Sequence, residues 1–595
     1  MASATKAVVE RAGGHPSRWS AFVFRFKVIC LQSRRGLQNL QSGPRCHSAV
    51  QVAENAQGRT LEHRSKLRTS DNPAEIALQL GKIHNLRIAA KRLDQVEIPA
   101  GQVFSFWSQV GRATRRRGFQ AGRELREGCI IATVGGGLCQ LSNALYDLAL
   151  RSNCEILERH AHSQIVPGSA SELGRDATVA WNHVDLRFRS DRPYRIIARL
   201  TRDDLVVSFQ FADAPESDTP DAKQDKPKKL DQKGLRLLNP VPGTCETCNQ
   251  GDCFRHDRRE SIRARSGHER TAFVLDAVSP EFQQFVQGNI QRGDEILAPM
   301  APRLPGVARY AWTFPDEVTR KHAFAATIQR TLHARRKLPP PALRKLQMAD
   351  TDRIARRYAA LLAHDATELV VDLPLLKELH RAGALGGRSV TVWLSRFPLK
   401  LLHTLLDRAS QKYPEAPNLN DFRAADRDVD DEWAALLTVD RVVTPHAYLA
   451  AQLKTRLTAK VECVPWQLPS PPKRVAREGG YLYFPGPTTA REGALAVREA
   501  ARRLNLPVVA AGKHLESPDF WQGITLLPAE NHPIQDAAVV LCPAVMKNRP
   551  TAALTALAMD KPLIATAQWG LPSGALEVPF GDHEALFEAI REHYK

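Results

Sequence analysis

The stretch TVGGGLCQLSNALYDLAL (133–150) predicts a tight loop followed by a helix. Its three consecutive glycines allow backbone conformations and close approaches that a side chain would prevent. The leucines that follow recur at helical spacing, which predicts a buried face; they are Leu138, Leu141, Leu145 and Leu148. Cys139 then lies in the first turn, where the helix dipole and the free N–H groups favour a thiolate and could stabilise an oxyanion.

Two polar segments downstream carry the residue types that could act with this thiol. The stretch ILERHAHSQIV (156–166) predicts a strand, on which His160 and His162 alternate and so point to one side. The stretch GRDATVAWNHVDLRF (174–188) follows and holds two aspartates. The order cysteine, histidine, aspartate is that of papain-like thiol enzymes, in which a base activates the thiol and a third group orients the base.

We therefore expect Cys139 to be a nucleophile and His162 its general base, with His160 as the second candidate for that role. Asp185 is preferred to Asp176 as the orienting carboxylate. The alternative is structural: a small buried thiol under a glycine-rich turn and partly buried histidines. A third interpretation makes the glycine loop and helix start a cradle for an anion.

About residues 20–200 resemble the VanW family, which is named from vancomycin B-type resistance clusters. The resemblance lies in five ordered stretches: RFKVICLQSRRGLQNL (25–40), GKIHNLRIAAKRLDQVEIPAGQVFSFWSQVGRATRRRGF (81–119), GGGLCQLSNALYDLAL (135–150), ERHAHS (158–163) and DATVAWNHVDLRFRS (176–190). It implies an α+β domain with a cell-envelope association, and it supplies no settled reaction.

The C-terminal half alternates apolar strand-like runs with helical patterns, which predicts right-handed crossovers and parallel sheets. The strand candidates are AFVLDAV (272–278), ARYAWTF (308–314), ELVVDL (368–373), SVTVWL (389–394), DRVVTP (440–445), YLYFPG (481–486), PVVAAG (507–512), AAVVLCP (537–543) and PLIAT (562–566). A Pro-rich interruption at 468–480 divides them into two doubly wound lobes.

These lobes resemble the GT-B glycosyltransferases, most clearly in YLYFPGPTTAREG (481–493) and in residues 536–570. The resemblance implies a donor site at the loop of the second lobe, where an anion would meet Gly486, Arg491, Lys513, Lys547 and Arg549. The usual ligands are replaced, however, by Pro487, Glu492, Lys547 and Thr555. We expect an uncompensated Glu492 to weaken the binding of any nucleotide sugar, so no nucleotide-sugar cofactor is expected.

The whole chain is thus predicted to be multidomain, an α+β VanW-like domain followed by an α/β two-lobed region. The predicted parts are a disordered lead-in (1–19), the VanW-like domain (20–211), a linker (212–240), a Cys/His module (241–260), a first lobe (270–467) and a second lobe (480–595). The linker is rich in Asp, Lys and Pro and has no aromatic residue, so it cannot bury enough apolar area to order itself.

Charge and cysteine usage limit the partners and the compartment. The chain has 83 Lys and Arg against 64 Asp and Glu, a net charge of +19. The positive charge favours binding of an anionic small molecule or glycan precursor, and it allows contact with a membrane surface. No specific nucleic-acid partner is expected. No run reaches the ~18 apolar residues of a spanning helix, since Arg25 and Lys27 interrupt the stretch 22–31. The ten cysteines show no disulfide framework, so we expect a cytoplasmic protein with free thiols.

The Cys/His module has the spacing of a metal site. Cys245, Cys248, Cys253 and His256 follow the pattern C-x2-C-x4-C-x2-H. Three thiolates and one imidazole suit tetrahedral zinc, and the alternatives are an iron–sulfur cluster or unliganded thiols. We expect a structural zinc ion.

Three functions remain open at this stage. The first is envelope-glycan or glycopeptide-related chemistry by a Cys/His transferase or hydrolase with a degenerate GT-B-like partner region. The second is a glycosyltransferase with a diverged donor site. The third is a non-enzymatic protein that binds an anionic ligand.

The zinc prediction can be tested by metal analysis of the purified chain. We expect about one zinc per chain and loss of it in Cys248→Ser, because a three-ligand site holds the ion far more weakly. Folded, intact protein that carries no metal would contradict the prediction.

Overall fold

The structure is a computed structural model of the chain. It describes residues 18–42, 44–49, 58–69, 72, 75–126, 129–162, 164–165, 174–212, 236–237, 243–244, 269–300, 308–421, 423–470 and 480–594. The chain divides into two compact units, residues 1–269 with 386–388, and residues 270–385 with 389–595.

The first unit mixes helices with short antiparallel sheets. Its elements are α1 (Arg18–Ser42), β1 (Thr60–Lys66), α2 (Ile76–Leu93), β2 (Val96–Ile98), β3 (Val103–Ser105), α3 (Phe106–Val110), β4 (Ala121–Arg126), β5 (Cys129–Val134), α4 (Cys139–Arg151), β6 (Glu155–Glu158), β7 (Gln164–Ile165), β8 (Arg187–Arg189), β9 (Tyr194–Leu200), β10 (Asp204–Phe211), β11 (Arg236–Leu237) and β12 (Gly243–Thr244). The strand orders are β1-β10-β9-β2, β12-β5-β4 and β3-β8-β6, with β11 beside β7.

The core of this unit lies between the four-stranded sheet and helices α2 and α4. Helix α4 packs on β1 and β10, and α2 packs on β9 and β4. Strand β10 is therefore buried along almost its whole length, which explains its nearly continuous apolar sequence. The predicted buried face of α4 is confirmed, since Leu141, Leu145 and Leu148 are fully buried and Leu138, just before the helix, is 4% exposed.

The second unit contains two parallel sheets. Its elements are β13 (Arg270–Val274), α5 (Pro280–Asn289), β14 (Glu295–Ala298), β15 (Thr319–His322), α6 (Phe324–His333), α7 (Pro340–Leu361), β16 (Ala366–Asp372), α8 (Leu373–Arg381), β17 (Ser389–Trp393), α9 (Leu399–Lys412), α10 (Asp426–Leu436), β18 (Arg441–Thr444), α11 (Ala447–Lys454), β19 (Lys460–Cys463), β20 (Leu482–Phe484), α12 (Ala494–Leu504), β21 (Val508–Ala510), β22 (Val539–Cys542), α13 (Thr551–Ala558), β23 (Leu563–Ala565), β24 (Leu576–Glu577) and α14 (His583–His593).

The strand orders are β15-β14-β13-β16-β17-β18-β19 and β21-β20-β22-β23-β24, and the ladders are parallel. The prediction of two doubly wound sheets is confirmed. The strand predicted at 308–314 is wrong, because residues 308–310 form a 3-10 turn. The apolar character of that segment comes instead from Trp312, whose ring packs edge-on against Phe282 at 5.1 Å.

The predicted linker and Cys/His module lie mostly outside the described residues. Two short pieces are described: β11 pairs in parallel with β7, and β12 pairs in parallel with β5. The segments 213–235 and 245–268 are not described, and neither is 1–17. Within the described part of the chain, each helix is too short or too polar to cross a membrane.

The glycine loop before α4 requires glycine for two separate reasons. Gly135 and Gly137 have φ of +85° and +95°, which side chains rarely adopt. In addition, a Cβ on Gly137 would lie 2.0 Å from Cγ of Lys82. Lys82 is buried beneath the loop, where burial lowers the pKa of its amine to about 7.

We expect Gly137→Ala to destabilise the first unit more than Gly101→Ala. Gly101 also has a positive φ, +74°, but a Cβ there meets nothing within 4 Å. The control should cost ~1–2 kcal/mol from backbone strain alone, and Gly137→Ala about 3 kcal/mol because the clash with Lys82 adds to it. The free energy of unfolding of both variants can be measured by pulse labelling of the buried Cys154 thiol along a urea series. Equal losses for the two variants would show that the close approach to Lys82 does not matter.

Candidate active site

Cys139 is the first residue of helix α4, as the sequence predicts, and it is partly exposed. The segment 174–179 runs alongside this helix without forming a strand. Two side chains of α4, one turn beyond Cys139, hold the segment 174–179 against the helix. Ser142 Oγ donates to the carbonyl oxygen of Ala177 at 2.6 Å, and the amide of Ala177 donates to Asn143 Oδ1 at 2.8 Å. The residue before Ala177 is therefore fixed close to the start of the helix.

That residue is Asp176, and its carboxylate accepts hydrogen bonds on both oxygens. Oδ2 accepts from the ring Nδ1 and from the backbone amide of His162, each at 2.7 Å. Oδ1 accepts from Arg159 Nη2, also at 2.7 Å. Burial acts to raise the pKa of Asp176, but the bonds to His162 and the charge of Arg159 outweigh it and lower that pKa. Asp176 is thus ionised and holds the imidazole in one orientation.

The imidazole of His162 and the thiol of Cys139 shift each other's pKa in opposite directions. Burial by itself would lower the pKa of His162, but the hydrogen bonds to Asp176 and to the Cys139 sulfur raise it to about 10. For the Cys139 thiol, burial acts to raise the pKa, and the hydrogen bond and charge of His162 more than offset it. The Val179 amide and the Thr178 hydroxyl, 3.7 Å from the sulfur, act in the same direction. Both shifts favour the thiolate–imidazolium pair over the neutral thiol and imidazole.

The structure corrects two of the predicted site residues. Asp185 does not contact His162; it accepts from Ser105 Oγ at 2.6 Å and from Arg187 Nε at 2.8 Å. Its carboxylate therefore joins β3 to the start of β8. Strand β6 ends at Glu158, so the predicted alternation of the two histidines fails, and His160 faces Glu158 at 3.3 Å. The side chain of His160 is 46% exposed and lies apart from the thiol.

Residues 81–211 match the family model described as VanW like protein. Residues 81–211 form a VanW-like domain. The uncharacterized protein YoaR of Bacillus subtilis is 32% identical over 136 residues, 22% of this chain and 44% of that protein. The vancomycin B-type resistance protein VanW of Enterococcus faecalis is 33% identical over 146 residues, 23% of this chain and 52% of that protein. The chain thus spans about half the length of the curated relatives it matches.

The second unit is similar in fold to solved GT-B glycosyltransferases. Sucrose-phosphate synthase from Thermosynechococcus elongatus matches 55% of this chain and 89% of its own, at 14% identity and a TM-score of 0.37. The trehalose-phosphate synthase of Burkholderia xenovorans matches 55% of this chain and 92% of its own, at 12% identity and a TM-score of 0.32. Likenesses this distant concern architecture alone, and nothing about activity is drawn from them.

The candidate anion-binding residues of the second unit are largely engaged with other side chains. Lys547 Nζ lies 3.0 and 3.1 Å from the two carboxylate oxygens of Glu492. Glu492 in turn covers Gly486, since a Cβ there would lie 3.0 Å from Oε2. The expectation of an uncompensated Glu492 is therefore wrong. The resulting ion pair occupies the loop that the resemblance assigns to an anion.

The three remaining candidates contact other side chains or are exposed. Arg549 forms a bidentate ion pair with Glu281, in which Nη2 donates to Oε1 at 3.0 Å and Nε donates to Oε2 at 3.3 Å. Arg491 donates to the sulfur of Met546 at 3.7 Å, and Lys513 is exposed. The proposed zinc ligands 245, 248, 253 and 256 fall outside the described residues. Among the residues that are described, no group of three or more His, Cys, Asp or Glu is placed to hold a metal ion.

The thiolate assignment predicts how Cys139 reacts with iodoacetamide. Because its pKa is lowered, the rise of the labelling rate with pH should have its midpoint below the ordinary thiol value of 9.0. His162→Ala should slow labelling at pH 7 and move that midpoint upward, since burial of the thiol is then no longer offset by the imidazole. Asp176→Asn should act in the same direction. Labelling is followed by mass spectrometry of the Cys139 peptide.

The matched control for this experiment is His160→Gln, which changes an exposed imidazole two residues away. Its labelling profile should equal that of the native chain. If His160→Gln slows Cys139 as much as His162→Ala does, the pairing of Cys139 with His162 is wrong.

Proposed function

We propose that the VanW-like domain is a thiol-dependent acyl transferase or hydrolase. The observation that supports it best is the 2.7 Å hydrogen bond between His162 Nδ1 and Asp176 Oδ2, together with the interaction of His162 with Cys139 that lowers the pKa of the thiol. A nucleophile, a base and a group that orients the base are the three parts that this chemistry needs. The 26% exposure of the His162 side chain leaves the pair accessible to a substrate.

In the first step, the Cys139 thiolate attacks a carbonyl carbon of an amide or ester. The carbonyl oxygen gains negative charge, which the N-terminal dipole of α4 stabilises. When the intermediate collapses, a carbon–sulfur bond remains, the carbon–nitrogen or carbon–oxygen bond breaks, and the imidazolium of His162 gives its proton to the leaving group. Asp176 holds the ring so that the nitrogen facing the sulfur carries that proton.

In the second step, neutral His162 takes a proton from water or from an acceptor amine. The resulting nucleophile attacks the thioester, the carbon–sulfur bond breaks, and the thiolate–imidazolium pair is restored. Water makes the domain a hydrolase, and an amine makes it a transferase. The reaction needs no electron carrier, because no atom changes oxidation state.

We propose peptide-bearing glycan precursors of the cell envelope as the substrate class. The support is the similarity of 146 residues of this chain to a protein named for vancomycin resistance, together with the basic charge of +19, which favours anionic precursors. Free thiols suit the cytoplasm, where such precursors are made, and we propose that compartment for the protein.

For the second unit we propose a binding or scaffold role without glycosyl transfer. The Glu492–Lys547 pair over Gly486 supports this, because a diphosphate would have to displace a carboxylate together with the lysine paired to it. The absence of nucleotide-sugar binding stays a prediction.

The acyl-enzyme can be sought without knowing the natural substrate. A small activated ester such as p-nitrophenyl acetate should acylate Cys139 in a burst, seen as an acetyl mass increase on its peptide. Cys139→Ala should lose the burst and His162→Ala should slow it by about 10² to 10⁴, whereas His160→Gln should match the native chain. A muramyl peptide, incubated with and without a free amine, then separates hydrolysis from transfer. A burst that survives in Cys139→Ala would contradict the proposal.

A further inference from the structure

Helix α1 contacts the rest of the first unit through polar side chains. Arg35 forms an ion pair with Glu158 at 2.6 Å, and Gln32 Nε2 donates to the carbonyl oxygen of Trp181 at 3.1 Å. One turn further on, Arg187 Nη2 donates to Asn39 Oδ1 at 3.0 Å. These three positions, 32, 35 and 39, recur at helical spacing and define the inward face of α1.

The opposite face of α1 is apolar and exposed. Phe26 and Ile29 are each 59% exposed and Leu37 is 66% exposed. At about 100° of rotation per residue, these three lie within one stripe, on the side of the helix roughly opposite to Arg35 and about 100° around from Gln32. A surface helix ordinarily buries its apolar stripe, whereas this stripe of α1 is exposed. An exposed stripe of this kind indicates an interaction surface.

Positive charge borders this stripe. Lys27 and Arg34 are exposed and lie seven residues apart, on one side of the apolar row. The sequence of α1 contains five Lys or Arg residues and no Asp or Glu. An exposed apolar row beside cations, with no acid on the same helix, is the arrangement of helices that lie in the interface of an anionic membrane.

We propose that α1 binds the surface of an anionic phospholipid membrane. Phe26, Ile29 and Leu37 enter the boundary between headgroups and acyl chains, and Lys27 and Arg34 meet lipid phosphates. The polar inward face keeps the VanW-like unit on the aqueous side. The helix lies in the plane of the membrane, because its charges prevent it from spanning. Charge complementarity favours lipid over a second copy of α1, which would bring like charges together.

Flotation of the full chain with lipid vesicles tests the proposal. We expect binding to vesicles of phosphatidylglycerol mixed with phosphatidylcholine and much weaker binding to phosphatidylcholine alone. Lys27→Gln and Arg34→Gln should each weaken binding about fivefold, and higher salt should weaken it further. The double variant Phe26→Ser/Ile29→Ser should lose binding. The matched control is Gln38→Ser, an exposed polar change on the same helix, which should bind as the native chain does.

Protection of the Cys154 thiol shows that each variant keeps the fold of the first unit. Equal binding to both kinds of vesicle would overturn the proposal, because the cations would then have no role. It would also fail if folded native chain does not float. If that chain is instead a dimer that Phe26→Ser/Ile29→Ser dissociates, the stripe is an interface between copies. None of these outcomes depends on Cys139, so a failure here leaves the acyl-transfer proposal standing.

Discussion

The carboxylate of Asp176 is the group on which the geometry of the candidate site depends. A buried charge is stable only when it is paired and hydrogen-bonded, and Asp176 achieves this with Arg159 on one oxygen and two donors of His162 on the other. The same bonds fix the backbone and the ring of His162 together. Two side chains of helix α4 hydrogen-bond to the backbone of Ala177, the residue after Asp176. The helix that carries Cys139 therefore also fixes Asp176, and through it the imidazole of His162.

The sequence predicted the thiol better than it predicted the acid. The loop, the helix start at Cys139 and the buried leucines follow from local rules, since glycine conformations and helical spacing act over a few residues. The choice between Asp176 and Asp185 depends on which segment packs against α4. The two hydrogen bonds of that contact join residues separated by 34 and 35 positions along the chain, so the contact leaves no periodic signal in the sequence. His162 was selected from the right segment, although that segment is irregular and not the predicted strand.

The fold of the second unit was predictable because parallel strands are continuous apolar runs separated by helices. The ion pair at the loop of its second sheet was not predictable, because Lys547 and Glu492 are 55 residues apart and no local pattern indicates their contact. The orientation of α1 was missed for a similar reason. Its apolar stretch resembles a buried segment in sequence, and only the contacts of Arg35 and Gln32 show which side faces inward.

The most direct test of the account is the ionisation of the Cys139 thiol in the folded chain. Thiolate absorbance in the ultraviolet, measured as the difference between the native chain and Cys139→Ser along a pH series, isolates this one sulfur. The account predicts a titration step below the ordinary thiol value of 9.0, because His162 stabilises the thiolate. In Asp176→Asn the step should move upward, since the imidazolium loses its partner. A native step at or above 9.0 would contradict the ion pair and, with it, the assignment of Cys139 as a nucleophile.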